Sequence, residues 1–162
     1  MNITLLRESF RLVTERSPRV IARFYEILFA RHPDLANMFD RGPDGLAKQE
    51  RMLKGALSAV LDHLEDGAWL ERTLLPMGAR HVKYGVRDEM YGWVGGSLLA
   101  ALEEAAGTAW SPALAEAWSE AFGAIASLML KGAHAVPTTY DARPGPHDDV
   151  TDEHGRRAPL GA

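Results

Sequence analysis

The sequence predicts an all-α domain. Apolar residues recur at helical spacing in segment after segment, and no stretch alternates convincingly as a strand. A chain of 162 residues, 46% hydrophobic and 25% charged, is long enough for one domain with a sizeable core.

A first helix is expected from about Thr4 to Arg16. Ser17-Pro18 then reads as a start signal, a capping hydroxyl followed by proline at the first helical position. The second helix runs to about His32, and Pro33 opens a short helical turn ending near Phe39. Asp40-Arg41-Gly42-Pro43-Asp44-Gly45 reads as a loop. A long helix follows from about Leu46 to Leu64, stopped by Glu65-Asp66-Gly67. Two short helical pieces separated by Pro76 lead to His81, and Gly85 ends the second. Asp88 caps a helix reaching Ala106, with Gly107 beyond it. Ser111-Pro112 repeats the start signal for a last helix ending near His134. From Pro137 to Ala162 the chain has four prolines, three glycines, clustered aspartates and almost no large apolar residue. Such a segment buries too little surface to offset its ordering entropy, so residues 137–162 are expected to be a disordered tail after a domain of residues 1–136. Tyr140, His147 and His154 in this tail match no metal-site spacing.

Composition narrows the function. A net charge of -4 argues against a nucleic-acid partner, which wants a basic face. With no cysteine there is no disulfide, thiolate metal site, iron–sulfur cluster or thioether-linked haem. Met1–Arg7 lacks the apolar core of a signal peptide, and the longest apolar runs are too short to span a bilayer. A cytoplasmic protein without membrane insertion is expected.

Three polar side chains fall on apolar stripes. His81 lies in line with Leu74, Met77 and Gly78 at seven, four and three residues back. Gln49 shares a face with Leu46, Leu53, Leu57, Val60 and Leu64. Tyr25 belongs to the stripe Ile21, Phe24, Tyr25, Leu28. Each alone reads either as a core residue satisfied by its own backbone or as a ligand contact. Together, an imidazole, an amide and a phenol entering one apolar interior from three helices have the make-up of a binding pocket.

Other chemistries lack their residues. There is no Glu-x-x-His for a di-iron bundle, no His-Glu-x-x-His for a zinc protease, no phosphate-binding glycine loop and no Gly-x-Ser-x-Gly elbow. Gly92-Trp93-Val94-Gly95-Gly96 sits within a helix and reads as close helix packing. His63 follows Gln49 by fourteen residues, roughly 21 Å along a helix axis, and reads as structural. His32 and His134 read as helix-end groups.

The run Phe24-Tyr25-Glu26-Ile27-Leu28-Phe29-Ala30-Arg31-His32-Pro33-Asp34-Leu35-Ala36-Asn37-Met38-Phe39 resembles the second and third helices of bacterial haemoglobins and of the globin domain of flavohaemoglobins. Gly78-Ala79-Arg80-His81-Val82-Lys83-Tyr84-Gly85-Val86 resembles their proximal-histidine helix, and that of neuroglobin-like globins. Residues from Ser111 to Gly123 look like the start of the last globin helix. The resemblance spans residues 1 to 135 and implies a globin fold, a three-over-three helical sandwich. It implies haem b held by His81, with Phe39 packed on the porphyrin, Tyr25 and Gln49 as distal hydrogen-bond donors and Leu53 beside the sixth coordination site. It further implies that Arg80 and Tyr84 meet the haem edge and propionates, and that Val86 and Tyr91 line the proximal side. One position departs from the pattern: Ala133 stands where these families carry a glutamate behind the proximal histidine.

The implied function is reversible binding of O2, and of NO or CO, at a five-coordinate iron, for transport or storage. The alternative is nitric oxide dioxygenation, which needs a separate electron-donating reductase.

Overall fold

The computed structural model describes residues 1–40 and 42–135. The expected disordered tail, with Tyr140, His147 and His154, lies outside the described residues, as does the domain boundary drawn after residue 136. Six α-helices carry the described chain: α1 (Ile3–Arg16), α2 (Val20–Arg31), α3 (Pro43–Asp62), α4 (Gly67–Lys83), α5 (Asp88–Ala106) and α6 (Pro112–His134). Short 3₁₀ segments lie at Pro33–Met38 and Gly107–Ala109.

Helices α1, α2, α5 and α6 form the packed half. α2 lies on α5, α5 on α6, and α1 crosses both α5 and α6. Leu6, Phe24, Leu28 and Leu102 are almost wholly buried there, each contributing about 1.5–3 kcal/mol by leaving water. One polar link crosses this core: Trp118 Nε1 donates to Ser9 Oγ at 3.0 Å, and the Ser9 hydroxyl donates in turn to the Leu6 carbonyl. α4 lies along α6, and α3 touches only α1 and α2 to any extent. Arg7 of α1 holds the end of α3 by donating to the Leu61 and Asp62 carbonyls at 2.8 and 3.1 Å.

Several boundaries differ from those expected, each for a local reason. Ser17 does not cap α2; its N–H closes α1 on the Val13 carbonyl, Pro18 and Arg19 make a turn, and the helix begins at Val20. Gly42 and Pro43 start α3 three residues earlier than Leu46, since proline is well suited to a first helical position. Asp88 is the first helical residue of α5 rather than its cap, and its carboxylate meets His134 Nε2 at 2.7 Å. Ser111 does cap α6, accepting from the Leu114 N–H at 3.2 Å.

The largest difference is at Pro76. Two short pieces were expected, and one continuous helix, α4, runs through it. Pro76 sits on the exposed face, where water can serve the Arg72 carbonyl that it leaves without a helical partner. Packing on α6 holds the helix together across the break. A Cβ on Gly78 would run into the Met129 carbonyl, and one on Gly132 into the Leu75 carbonyl, so the two backbones touch at this crossing.

Candidate functional site

A cavity of about 230 Å³ opens where the packed half meets α3 and α4. One wall comes from α2 and the segment after it, through Phe24, Tyr25, Leu28, Leu35, Met38 and Phe39. α3 adds Gln49, Leu53, Ala56, Leu57 and Val60. The facing wall is α4 with Leu74, Met77 and His81, followed by Val86. α5 and α6 close the back with Met90, Tyr91, Val94, Leu98, Phe122, Ile125, Ala126 and Met129. Nearly all of this surface is hydrocarbon or thioether.

His81 is fixed by its own helix. Its Nδ1 lies 2.7 Å from the Met77 carbonyl, one turn back. A carbonyl only accepts, so Nδ1 carries the proton and Nε2 keeps its lone pair free. The chain after His81 is folded back by a Schellman turn. Gly85 takes φ 86° and donates to the Val82 carbonyl, while Val86 donates to the His81 carbonyl, both at 3.0 Å. The left-handed backbone that only glycine adopts freely is what returns Val86 to the cavity wall.

Tyr25 stands on the opposite side in an aromatic cluster, its ring centroid 4.8 Å from Phe24 and 5.7 Å from Phe39. Burial pushes its phenol up to about 12; the adjoining Gln49 side chain opposes this, and the Glu50 charge adds to it. Near neutral pH the phenol is therefore a hydrogen-bond donor. Burial, with help from the Asp88 carboxylate, also raises the Tyr91 phenol, and its hydroxyl is buried with no hydrogen-bond partner among the described residues.

The structure thus brings Tyr25, Phe39, Gln49, Leu53, His81, Val86 and Tyr91 onto one cavity. Arg80 and Tyr84 lie outside it on the surface, with Tyr84 66% exposed and edge-on to His81 at 5.9 Å. His63 is structural, its Nδ1–H donating to the Ala59 carbonyl at 2.8 Å and its ring stacking on Trp69 at 3.9 Å. Gly95 leaves room for the Phe122 ring of α6, which a Cβ at that position would strike. The α6 wall was not among the expected site residues. Its signal was present, since Phe122, Ile125, Ala126 and Met129 repeat at three, four and seven residues.

Chemically, the cavity is lined by one imidazole with a free nitrogen, one phenol and one amide, brought to it by three different helices. Among the described residues no group of three or more His, Cys, Asp or Glu could hold a metal ion. A metal at His81 would have to arrive with most of its ligands already attached. Among the same residues no helix is long and apolar enough to cross a membrane.

A family model described as Globin matches residues 22–129. A flavohemoprotein of Rhodopirellula baltica is 30% identical over 143 residues, which are 88% of this chain and 35% of that one. A flavohemoprotein of Bacillus anthracis is 30% identical over 128 residues, 79% of this chain and 31% of its own. The chain spans about a third of the length of these curated relatives. Among solved structures, a bacterial globin from Campylobacter jejuni matches with a TM-score of 0.70 at 23% identity, covering 82% of this chain and 94% of that one. An engineered carbene transferase, made from a candidate nitric oxide dioxygenase of Rhodothermus marinus, matches with a TM-score of 0.69 at 25% identity, covering 82% and 90%.

Proposed function

The chain belongs to the globin family, which implies a haem cofactor, and from that premise we propose that it holds haem b noncovalently through His81 and binds O2 reversibly on the other side. The observation that carries this reading is the convergence of three polar groups on one apolar cavity: an imidazole on α4 whose Nδ1 is already taken, a phenol on α2 and an amide on α3. The donor set fits the group, because a porphyrin brings four ligands to its iron and asks the protein for one. Bound haem supplies an iron that takes up diatomic gases.

The rest is the work of this chain's side chains. The Met77 carbonyl orients His81 and fixes its tautomer, so Nε2 is the atom offered to iron. Phe39, Leu53, Val86 and Tyr91 line the space a porphyrin would occupy and keep water from it. Tyr25 O–H and the Gln49 amide donate hydrogen bonds to a gas ligand, each contributing about 1–3 kcal/mol in a dry pocket. Arg80 and Tyr84, at the surface beside His81, are placed to meet propionates leaving the slot. O2, NO and CO are the ligand class, and a cytoplasmic setting fits the absence of cysteine.

Absorption spectra of the ferric, ferrous and CO-bound ferrous protein test the reading. A five-coordinate ferrous spectrum is expected, and His81→Ala should abolish it. Tyr25→Phe with Gln49→Leu should speed O2 release at least about tenfold; an unchanged off-rate would remove both residues from the distal role.

A second reading is favoured by the flavohemoprotein relatives and by the Rhodothermus marinus structure. NO and O2 would combine with one electron to give nitrate, the electron coming from a reductase outside these 162 residues. Sustained aerobic NO consumption with an added reductase, over many turnovers, separates this activity from carriage.

A further inference from the structure

Three of the four tyrosines fall among the described residues, and they differ in what can become of their protons. Tyr25 and Tyr91 line the cavity and are buried. Burial raises both phenols, and the Tyr91 hydroxyl has no hydrogen-bond partner among the described residues. Oxidising a phenol that cannot release its proton leaves a buried cation, which is costly. Tyr84 is the opposite case. It is 66% exposed to water, yet its ring stands edge-on to the His81 imidazole with centroids 5.9 Å apart. Backbone holds the two together, since the Tyr84 N–H donates to the His81 carbonyl at 3.1 Å. The cavity wall, for its part, is open to oxidative damage. Met38, Met77, Met90 and Met129 line it, four thioethers that an oxidant turns into polar sulfoxides and so spoils for apolar packing.

We propose that Tyr84 is an oxidation outlet: when hydrogen peroxide reacts at the iron held by His81, the oxidising equivalents leave through this exposed phenol and spare the thioethers of the wall. This rests on the haem reading above. Each Tyr84 that is oxidised gives one electron inward across its ring contact with His81 and one proton to solvent. Two such oxidations turn one hydrogen peroxide and two protons into two waters, with the O–O bond broken and the iron left ferric. Two of the resulting phenoxyl radicals, on separate chains, then join by a carbon–carbon bond ortho to their oxygens. The two ortho hydrogens move to those oxygens, and the product is dityrosine.

The test treats haem-loaded ferric protein with a few equivalents of hydrogen peroxide and a nitroso spin trap, and peptide mass spectrometry locates the adduct. Tyr84 is expected to carry it. Tyr84→Phe should lower the yield about tenfold or more, whereas Tyr140→Phe should leave it within about twofold. Without the trap, wild-type protein should form a dityrosine-linked dimer. Tyr84→Phe should instead accumulate about threefold or more sulfoxide on the four cavity methionines, because its oxidising equivalents have lost their exit. The proposal is overturned if the adduct falls mainly on Tyr25, Tyr91 or Tyr140, or if haem-free protein gives the same yield. It is equally overturned if no dityrosine forms without the trap, or if Tyr84→Phe leaves the sulfoxide unchanged. The Soret band before peroxide is added separates the failures. Its absence from wild-type protein mixed with haem sinks the haem reading, and an intact band with no adduct on Tyr84 sinks only the outlet.

Discussion

The helices α2 and α5 on one side of the cavity and α3 and α4 on the other are buried very differently. α2 buries six of its 12 residues and α5 eight of 19. α3 buries two of 20 and α4 two of 17. Part of the shortfall is composition, since α3 and α4 carry a smaller share of apolar residues, yet they still place Leu53, Leu57, Leu74 and Met77 on the cavity as the periodicity requires. On α3 that face borders the cavity and the helix meets only α1 and α2, both sparingly, whereas α4 packs closely along α6 and lends Leu74, Met77 and His81 to the cavity wall. A helix such as α3 that saves its apolar stripe for a cavity has left part of its packing to a guest, and stability in this region is coupled to the guest's presence.

That contrast can be broken most directly by adding the guest. In protein free of haem, backbone amides of α3 should exchange with solvent well before those of α5, and haem should slow α3 by a thousandfold or more, about 4 kcal/mol at saturating haem. Hydrogen exchange resolved by segment measures this. Equal protection of α3 and α5 without haem would mean that the slot is not a gap in the packing.

The next effect concerns how α4 is held. Gly78→Ala or Gly132→Ala should cost about 3 kcal/mol or more, because the new methyl must force apart backbones already in contact. Gly55→Ala, at a helical site with open space around it, should instead stabilise by about 0.5–1 kcal/mol. Urea denaturation of the three variants orders them. A tolerated Gly78→Ala would show that α4 is free to move off α6 and that the contrast between halves is greater still.

A smaller effect is set by pH. The Tyr25 phenol has its pKa raised from 10.0 to about 12, so the folded protein holds this proton after the unfolded chain has released it. Its contribution is complete below about pH 10 and is lost as pH rises toward 12, a fall of about 2–3 kcal/mol in haem-free protein. Tyr25→Phe should flatten that loss in alkaline denaturation curves and remove one late-titrating phenol from the ultraviolet difference spectrum.

How much of this was legible beforehand follows from the range of each interaction. Tyr25, Gln49 and His81 could be singled out because a polar residue on an apolar stripe is a local pattern. The Gly85 stop and the Ser111 cap are local too, and both stand where expected. Ser17 was misread because one hydroxyl-proline pair can serve a helix start or merely the turn before it, and the choice depended on α1 taking its N–H. Pro76 was misread because a proline breaks a helix by default, and nothing near it in sequence reveals the α6 backbone that keeps α4 whole. Arg80 and Tyr84 could be numbered but not placed, since exposure at the end of a helix depends on what packs beside it.

By itself the sequence determined that the chain is helical, where most helices begin and end, and which three polar groups face inward, because periodicity, capping and turn chemistry act over a few residues. Only the tertiary structure decided that these groups line one cavity, that Nδ1 of His81 is taken by its own helix, and that α6 closes the back of the same cavity. Those facts arise where segments distant in the chain come within van der Waals reach, and a linear pattern carries no measure of that distance.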